Sequence, residues 1–304
     1  MTDHAASRTG EPTPAPVEDG SSRRTVPTRR ISFDGSLGDV PRHFAAGGDL
    51  VLSHLAAVLS SLFPDGEDFF VRSVRQHRDR ITDPALKRDV AGFIGQEAVH
   101  GREHRALNDR LAQLGYPTRR FERITRASLG LRERLASPVA NLAATAALEH
   151  FTATLAQLLL SDPEVRALFG HHEVRDIFVW HALEESEHKA VAFDVYKAVG
   201  GSERTRVWTM NIVTVGFLVG TALMTLDSLL HDRATYRPGA LRASWRRFRR
   251  SPLMRPALWR QLRDYNRPDF HPDDVDTTEL VARWRAELFG AAGTLNGKLA
   301  STAA

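Results

Sequence analysis

The chain contains no cysteine. It therefore has neither disulfides nor thiolate ligands, and any bound metal must sit among nitrogen and oxygen donors, which favours iron, manganese or zinc. Strand signals are scarce, which leaves an all-α fold. The first thirty residues lack any apolar run and are rich in proline, serine, threonine and acidic groups. They read as a disordered tail over residues 1–35 rather than a signal peptide, and the chain as cytoplasmic. Arg23-Arg24 and Arg29-Arg30 imitate a twin-arginine signal, but no apolar segment follows them.

With 304 residues the chain can bury a sizeable core. Its net charge of +4 is unevenly spread, with arginines concentrated towards the two ends. No nucleic-acid-binding signature accompanies them, so no nucleic acid is expected. Oligomeric state is left open.

An apolar helix is expected over Gly48 to Phe63. Pro64 then acts as a kink or a stop, and a second run extends from Glu67 to about Arg80. Asp83-Pro84 supplies a cap and first turn for a helix reaching Leu114, ended by Gly115. An arginine-rich crossover with some helix of its own spans Tyr116 to Ser137. Val139 to Leu160 follows as an alanine- and leucine-rich helix, then a helix from about Glu173 to Val199. Val207 to Leu226 carries no charge. It suits a buried fifth helix or a membrane-facing segment better than a true span, because Thr209, Asn211, Thr214, Gly216 and Gly220 interrupt it. Residues 242–263 mix arginines with Trp245, Phe248 and Trp259, a pattern that fits an anionic membrane surface or an acidic partner as well as a solvated basic face. A last helix covers Thr278 to Phe289. The expected domains are thus a metal-binding bundle over 45–200 and a helical extension over 201–295 packed upon it.

Chemistry concentrates in two strings. In His181-Ala182-Leu183-Glu184-Glu185-Ser186-Glu187-His188, the residues His181, Glu185 and His188 share one helical face, because about 100° separates successive residues. Upstream, Glu97, His100 and His104 do the same. Glu-x-x-His thus occurs twice, each copy preceded by a helix with a lone glutamate, Glu67 and then Glu149. A four-helix bundle holding two metal ions needs this order of donors. Glu149 among alanines is the member hardest to explain otherwise, since a buried carboxylate needs a partner. Glu67 alone could be a first-turn acid stabilised by the helix dipole. Glu184 and Glu187 lie off the common face and read as solvated or as supporting groups; His104 and His181 each either ligate or orient a ligand. His150, His171 and His172 read as surface or interface residues.

Together Phe63-Pro64-x-Gly66-Glu67-x-Phe69-Phe70, Phe93-Ile94-Gly95-Gln96-Glu97-x-x-His100-x-x-Glu103-His104, Ala147-Leu148-Glu149-His150-Phe151 and Trp180-His181-x-Leu183-Glu184-Glu185-x-Glu187-His188 resemble the bacterial predicted metal-dependent hydrolases, over roughly residues 50–275. That resemblance implies a ferritin-like four-helix bundle with two metals. A more distant similarity, carried by His181, Glu185 and His188 alone, is to the di-iron arylamine N-oxygenases, and it implies that His181 is a third imidazole ligand. The ligand set expected is Glu67, Glu97, His100, Glu149, His181, Glu185 and His188.

Three functions follow. The first is an oxidase or oxygenase in which two irons activate dioxygen against an apolar or aromatic small-molecule or acyl substrate, with Phe70, Phe93, Phe151 and Trp180 as pocket or core residues. The second is hydrolysis by metal-activated water; His100-Gly101-Arg102-Glu103-His104 also fits the inverted zinc-peptidase string. The third is metal binding without catalysis.

Overall fold

The computed structural model describes residues 25–300. The protein is all-α, and no strand occurs among these residues beyond the isolated bridges Ile31–Leu299 and Ala45–Phe169. The helices are α1 (Leu50–Arg75), α2 (Pro84–Gln113), α3 (Thr118–Leu135), α4 (Pro138–Ser161), α5 (Pro163–Arg166), α6 (His172–His188), α7 (Val191–Ala198), α8 (Glu203–Leu230), α9 (Ala240–Arg250), α10 (Pro256–Asp264) and α11 (Thr278–Phe289). Helices α1, α2, α4 and α6 form the bundle, with α1 on α2, α4 on α6, and cross-contacts closing the square. Helix α3 crosses over α1, and α8 lies on α4 and α1.

Local chemistry sets the helix starts. The Asp49 carboxylate accepts from the Leu52 amide, Asp83 caps α2 ahead of Pro84, and Ser137 caps α4 ahead of Pro138. Gly115, with φ of +93°, takes the chain out of α2 in a conformation other residues adopt only under strain.

Pro64 lies inside α1 and does not end it. Proline has no N–H for the Ser60 carbonyl one turn earlier, and in its place the Asn108 side-chain amide donates to that oxygen at 3.1 Å. The two runs expected on either side of Pro64 are therefore one helix. Conversely, the single helix expected from Glu173 to Val199 is divided at Lys189-Ala190 into α6 and α7, although both residues keep right-handed helical dihedrals. The 242–263 stretch is likewise divided, with Pro252 and Pro256 separating α9 from α10.

The tail expected over 1–35 needs correction at its end; residues 1–24 lie outside the described residues. Ile31 and Phe33 are fully buried, and the Phe33 amide donates to Glu103 Oε2 at 2.7 Å. The strip before them lies so close to α2 that a Cβ at Gly92 would meet the Val26 carbonyl oxygen, and one at Gly95 the Thr28 hydroxyl. Two apolar residues and a close backbone fit outweigh the polar composition around them.

Helix α8 is long and apolar enough to cross a membrane by length and composition. It is not the buried fifth helix: one face packs on α1 and α4 while the opposite face, including Trp208, Val215, Val219 and Leu223, is exposed.

Candidate metal centre

The buried apolar side chains form two clusters, one around Trp180 and Leu183, the other around Phe69, Phe93 and Phe151. A polar centre lies where they meet. Trp180 stands edge-on to His100 and Phe93 edge-on to His188, each with ring centroids 5.0 Å apart. Helix α1 brings in Glu67, α2 brings Glu97 and His100, α4 brings Glu149, and α6 brings His181, Glu185 and His188. All seven are buried.

Their donor atoms fall into overlapping groups. Glu67, His100 and His181 each bring one donor atom within 4.8 Å of the others; so do Glu97, Glu149 and His188, and Glu97, His100 and Glu185 span the gap between these two groups. His188 Nε2 lies 3.1 Å from Glu97, 3.4 Å from Glu149 and 3.5 Å from Glu185. His181 Nε2 lies 3.0 Å from Glu185 and 3.9 Å from Glu67. The grouping therefore cuts across chain order: Glu97, from the first Glu-x-x-His, keeps company with Glu149 and His188.

The donors fit a cation. Both carboxylate oxygens of Glu67, Glu97 and Glu149, one of Glu185, both nitrogens of His100 and Nε2 of His188 are buried without a hydrogen-bond partner. Stranding so many buried polar atoms is costly, at roughly 1–3 kcal/mol each and more for charged groups.

Without a cation the charges conflict. Burial, with the negative charges of Glu185 and Glu97, pushes the Glu149 carboxyl up to about 8. Burial and Glu97 raise Glu67 well above the usual range. Burial also works against ionised Glu185, but His188 outweighs it and holds this carboxyl well below its ordinary value. Burial disfavours protonated His100 and His188 too, yet their carboxylate neighbours raise both.

A supporting layer fixes which nitrogen each imidazole presents. The Gln96 amide nitrogen donates to Glu187 (2.7 Å) and to the Pro27 carbonyl (3.0 Å), so its oxygen accepts from His188 Nδ1 at 2.9 Å. That leaves Nε2 of His188 facing the carboxylates. On the other side, Asn108 donates from its amide nitrogen to the Ser60 carbonyl and to Glu122, so its oxygen must accept the Ser60 hydroxyl proton, at 2.7 Å. Ser60 Oγ then accepts from His104 Nδ1 (2.9 Å), and His104 Nε2 accepts from His181 Nδ1 (2.7 Å). Both nitrogens of His104 are thereby used, and Nε2 of His181 is free toward Glu185 and Glu67. Burial, with His181 and His100 nearby, lowers the His104 pKa well below its ordinary value, as a neutral acceptor requires.

Glu184 and Glu187 are not solvated. Both are buried, and Arg29 Nη1 donates to each at 2.8 Å, while Arg285 Nε donates to Glu187 at 2.6 Å. Glu184 Oε2 in turn stands 3.1 Å from His100 Nε2. Sequence reasoning missed Arg29, seen only as half of an apparent twin-arginine pair, and missed Gln96, Ser60 and Asn108. The one available signal was the Gln96-Glu97 pair itself, since a glutamine beside a candidate ligand is a natural orienting group.

Glu103 accepts from the Phe33 amide and from Arg102, at 2.7 Å each, and so is not placed as the base of an inverted zinc-peptidase site. His150 is buried, against Tyr265 and Phe270, rather than at the surface; His171 is half-buried and His172 exposed. A further cluster, His43, His54 and Asp232, is already internally paired: both imidazoles and Arg42 contact the Asp232 carboxylate at 2.7–3.1 Å.

Two apolar cavities reach the centre. One, lined by Leu55, Leu59, Phe63, Phe151 and Phe178, includes His181 and Glu185 in its wall. The other lies between α3 and α8, includes Phe70, and has Glu67 in its wall. They share Leu59, Phe63, Phe151, Thr152 and Phe217.

Comparison with curated proteins and with solved structures returns no significant match. The model of the family described as predicted metal-dependent hydrolase matches residues 27–276. The match extends from the strip on α2 through all four donor-bearing helices, and on that ground the chain belongs to the predicted metal-dependent hydrolase family.

Proposed function

We propose that the protein is a metal-dependent enzyme in which Glu67, Glu97, His100, Glu149, His181, Glu185 and His188 hold two metal ions. The observation that carries this reading is the set of buried carboxylate and imidazole atoms without hydrogen-bond partners, divided between two groups that Glu97 and His100 link. Four carboxylates match most of the charge of two divalent ions, and the assembly of lone glutamates and paired Glu-x-x-His on four helices is the donor pattern of ferritin-like bundles.

When bound, the ions would supply Lewis acidity toward water and a carbonyl or phosphoryl oxygen, or, as iron, electrons for dioxygen. Hydrolysis is the chemistry the family description carries, and we adopt it. The chain's own residues have defined tasks in it. His104 and Gln96 keep the protons of His181 and His188 on Nδ1, Arg29 and Arg285 fix the positions of Glu184 and Glu187 by ion pairs, and Phe63 and Phe151 exclude bulk water from the approach. The cavity walls select an apolar small molecule or acyl group as substrate. Oxidation is the second reading; the hard, carboxylate-rich donor set, which suits iron and manganese, is the observation in its favour.

The test is metal analysis of the purified protein alongside turnover of an aryl acyl ester. Two metals per chain and ester turnover, both lost in Glu149→Ala, are expected. A single metal retained in Glu149→Ala would refute the two-metal centre. Dioxygen uptake by the reduced protein, without ester turnover, would transfer the assignment to oxidation, and neither activity would leave a metal-binding protein.

A further inference from the structure

We propose that the apolar face formed by α8 and α3 docks on an anionic lipid surface, and that the cleft between these helices admits an acyl chain from that surface toward Glu67. The docking half stands on its own; the cleft half deepens the metal-centre reading and rests on it.

The stripe of α8 turned away from the bundle carries Trp208, Ile212, Val215, Val219, Leu223 and Leu226, spaced three or four residues apart, with Trp208 68%, Val215 62% and Leu223 61% exposed. Across the cleft, α3 adds Ile124, Leu131 and Leu135, the last 78% exposed. A soluble monomer rarely exposes a contiguous apolar area of more than a few hundred Å². This face holds no charge from Val207 to Leu226.

Charge appears where the stripe ends. Asp227 is paired with Arg120. Beyond α8 follow Arg233 and Arg237, then Arg246, Arg249 and Arg250 of α9, all exposed and without an acidic partner among the described residues. Trp245 is half exposed among them. An apolar stripe bordered by unpaired arginines and tryptophans complements an anionic bilayer, in which side chains enter the acyl region and guanidinium groups meet phosphates.

The cleft distinguishes this face from a simple protein contact. It opens between Leu129 and Arg132 of α3 and Ile212, Gly216 and Gly220 of α8, and buried Glu67 belongs to its wall. Both Glu67 oxygens lack a hydrogen-bond partner, as does Nε of Arg132. A Cβ at Gly216 or Gly220 would meet nothing within 4 Å, so the space is open to a chain-like ligand.

The experiment is flotation of the full-length protein with vesicles of phosphatidylcholine and phosphatidylglycerol, against phosphatidylcholine alone. Flotation with the anionic vesicles is expected, and its loss in Val215→Glu/Val219→Glu with an unchanged thermal midpoint. A wild-type protein that stays with the unbound fraction overturns docking. So does a wild-type dimer that the double variant converts to a monomer, which would assign the face to a second copy. For the cleft, Gly216→Phe should float normally but lose uptake of a pyrene-labelled fatty acid; unchanged uptake overturns that half. Glu149→Ala should keep flotation and uptake, so a failed metal centre and a failed lipid site remain distinguishable.

Discussion

His181 Nδ1 and His104 Nε2 stand 2.7 Å apart in the bundle interior, and only one of them carries the proton. The Asn108 amide decides which, acting through Ser60 and then His104, and the result is a lone pair on His181 Nε2 facing Glu185. Removing the acceptor should therefore weaken metal binding without touching a ligand. His104→Ala is expected to lower affinity by about 10- to 100-fold, the usual effect of deleting a group that orients a ligating histidine. His104→Gln, whose amide oxygen can still accept, should recover part of it. Competition against a chromophoric chelator measures both; equal losses in the two variants would remove His104 from this role.

Arg29 spans from the N-terminal strip to Glu184 and Glu187, with its side chain only 12% exposed. Burial opposes its charge, but the two carboxylates raise its pKa above the ordinary guanidinium value. Arg29→Met should leave Glu184 uncompensated and destabilise the fold by about 3–5 kcal/mol in urea unfolding. Adding Glu184→Gln should restore much of that loss. A single variant as stable as wild type would show that the strip is not anchored by charge.

Glu149 gives the metal-free protein a distinctive pH response. Its folded pKa, near 8, is above its unfolded value, so its contribution to stability is complete below the unfolded pKa and is lost as pH rises through 8. The chelator-treated protein should therefore melt at lower temperature at pH 8 than at pH 6.5. Glu149→Gln should lessen this slope, and loading with metal should lessen it further.

His54 works in the opposite direction and in another window. Burial holds its pKa down to about 4, although Asp232 beside it pulls upward. The unfolded chain binds the extra proton between pH 6.5 and 4, so the contribution of His54 is fully present above 6.5 and is lost as pH falls through 4. At about 1.36 kcal/mol per pH unit this amounts to at most roughly 3 kcal/mol. Urea titrations across this range should show a smaller decline in His54→Gln than in wild type.

The donors were legible because the pattern that reveals them is local. Glu97 with His100, and Glu185 with His188, lie one helical turn apart, and Glu149 stands out as the one charge in an alanine-rich helix. The supporting groups carry no such mark. Arg29 lies 155 residues from Glu184, Gln96 lies 92 from His188, and Ser60 lies 44 from His104. Each pairing exists only once the bundle has closed.

By itself the sequence determined an all-helical chain, the capped starts of α2 and α4, and seven nitrogen- and oxygen-bearing side chains at spacings that let them converge. Helical periodicity and capping act within a turn or two, and residue order records them directly. The tertiary structure alone decided that Pro64 is bridged rather than a stop, that Ile31 and Phe33 belong to the core, which imidazole nitrogen each histidine presents, and that one face of α8 is left uncovered. Those outcomes depend on what a distant helix brings alongside, and a hydrogen bond or an apolar contact between remote positions leaves no period in the chain.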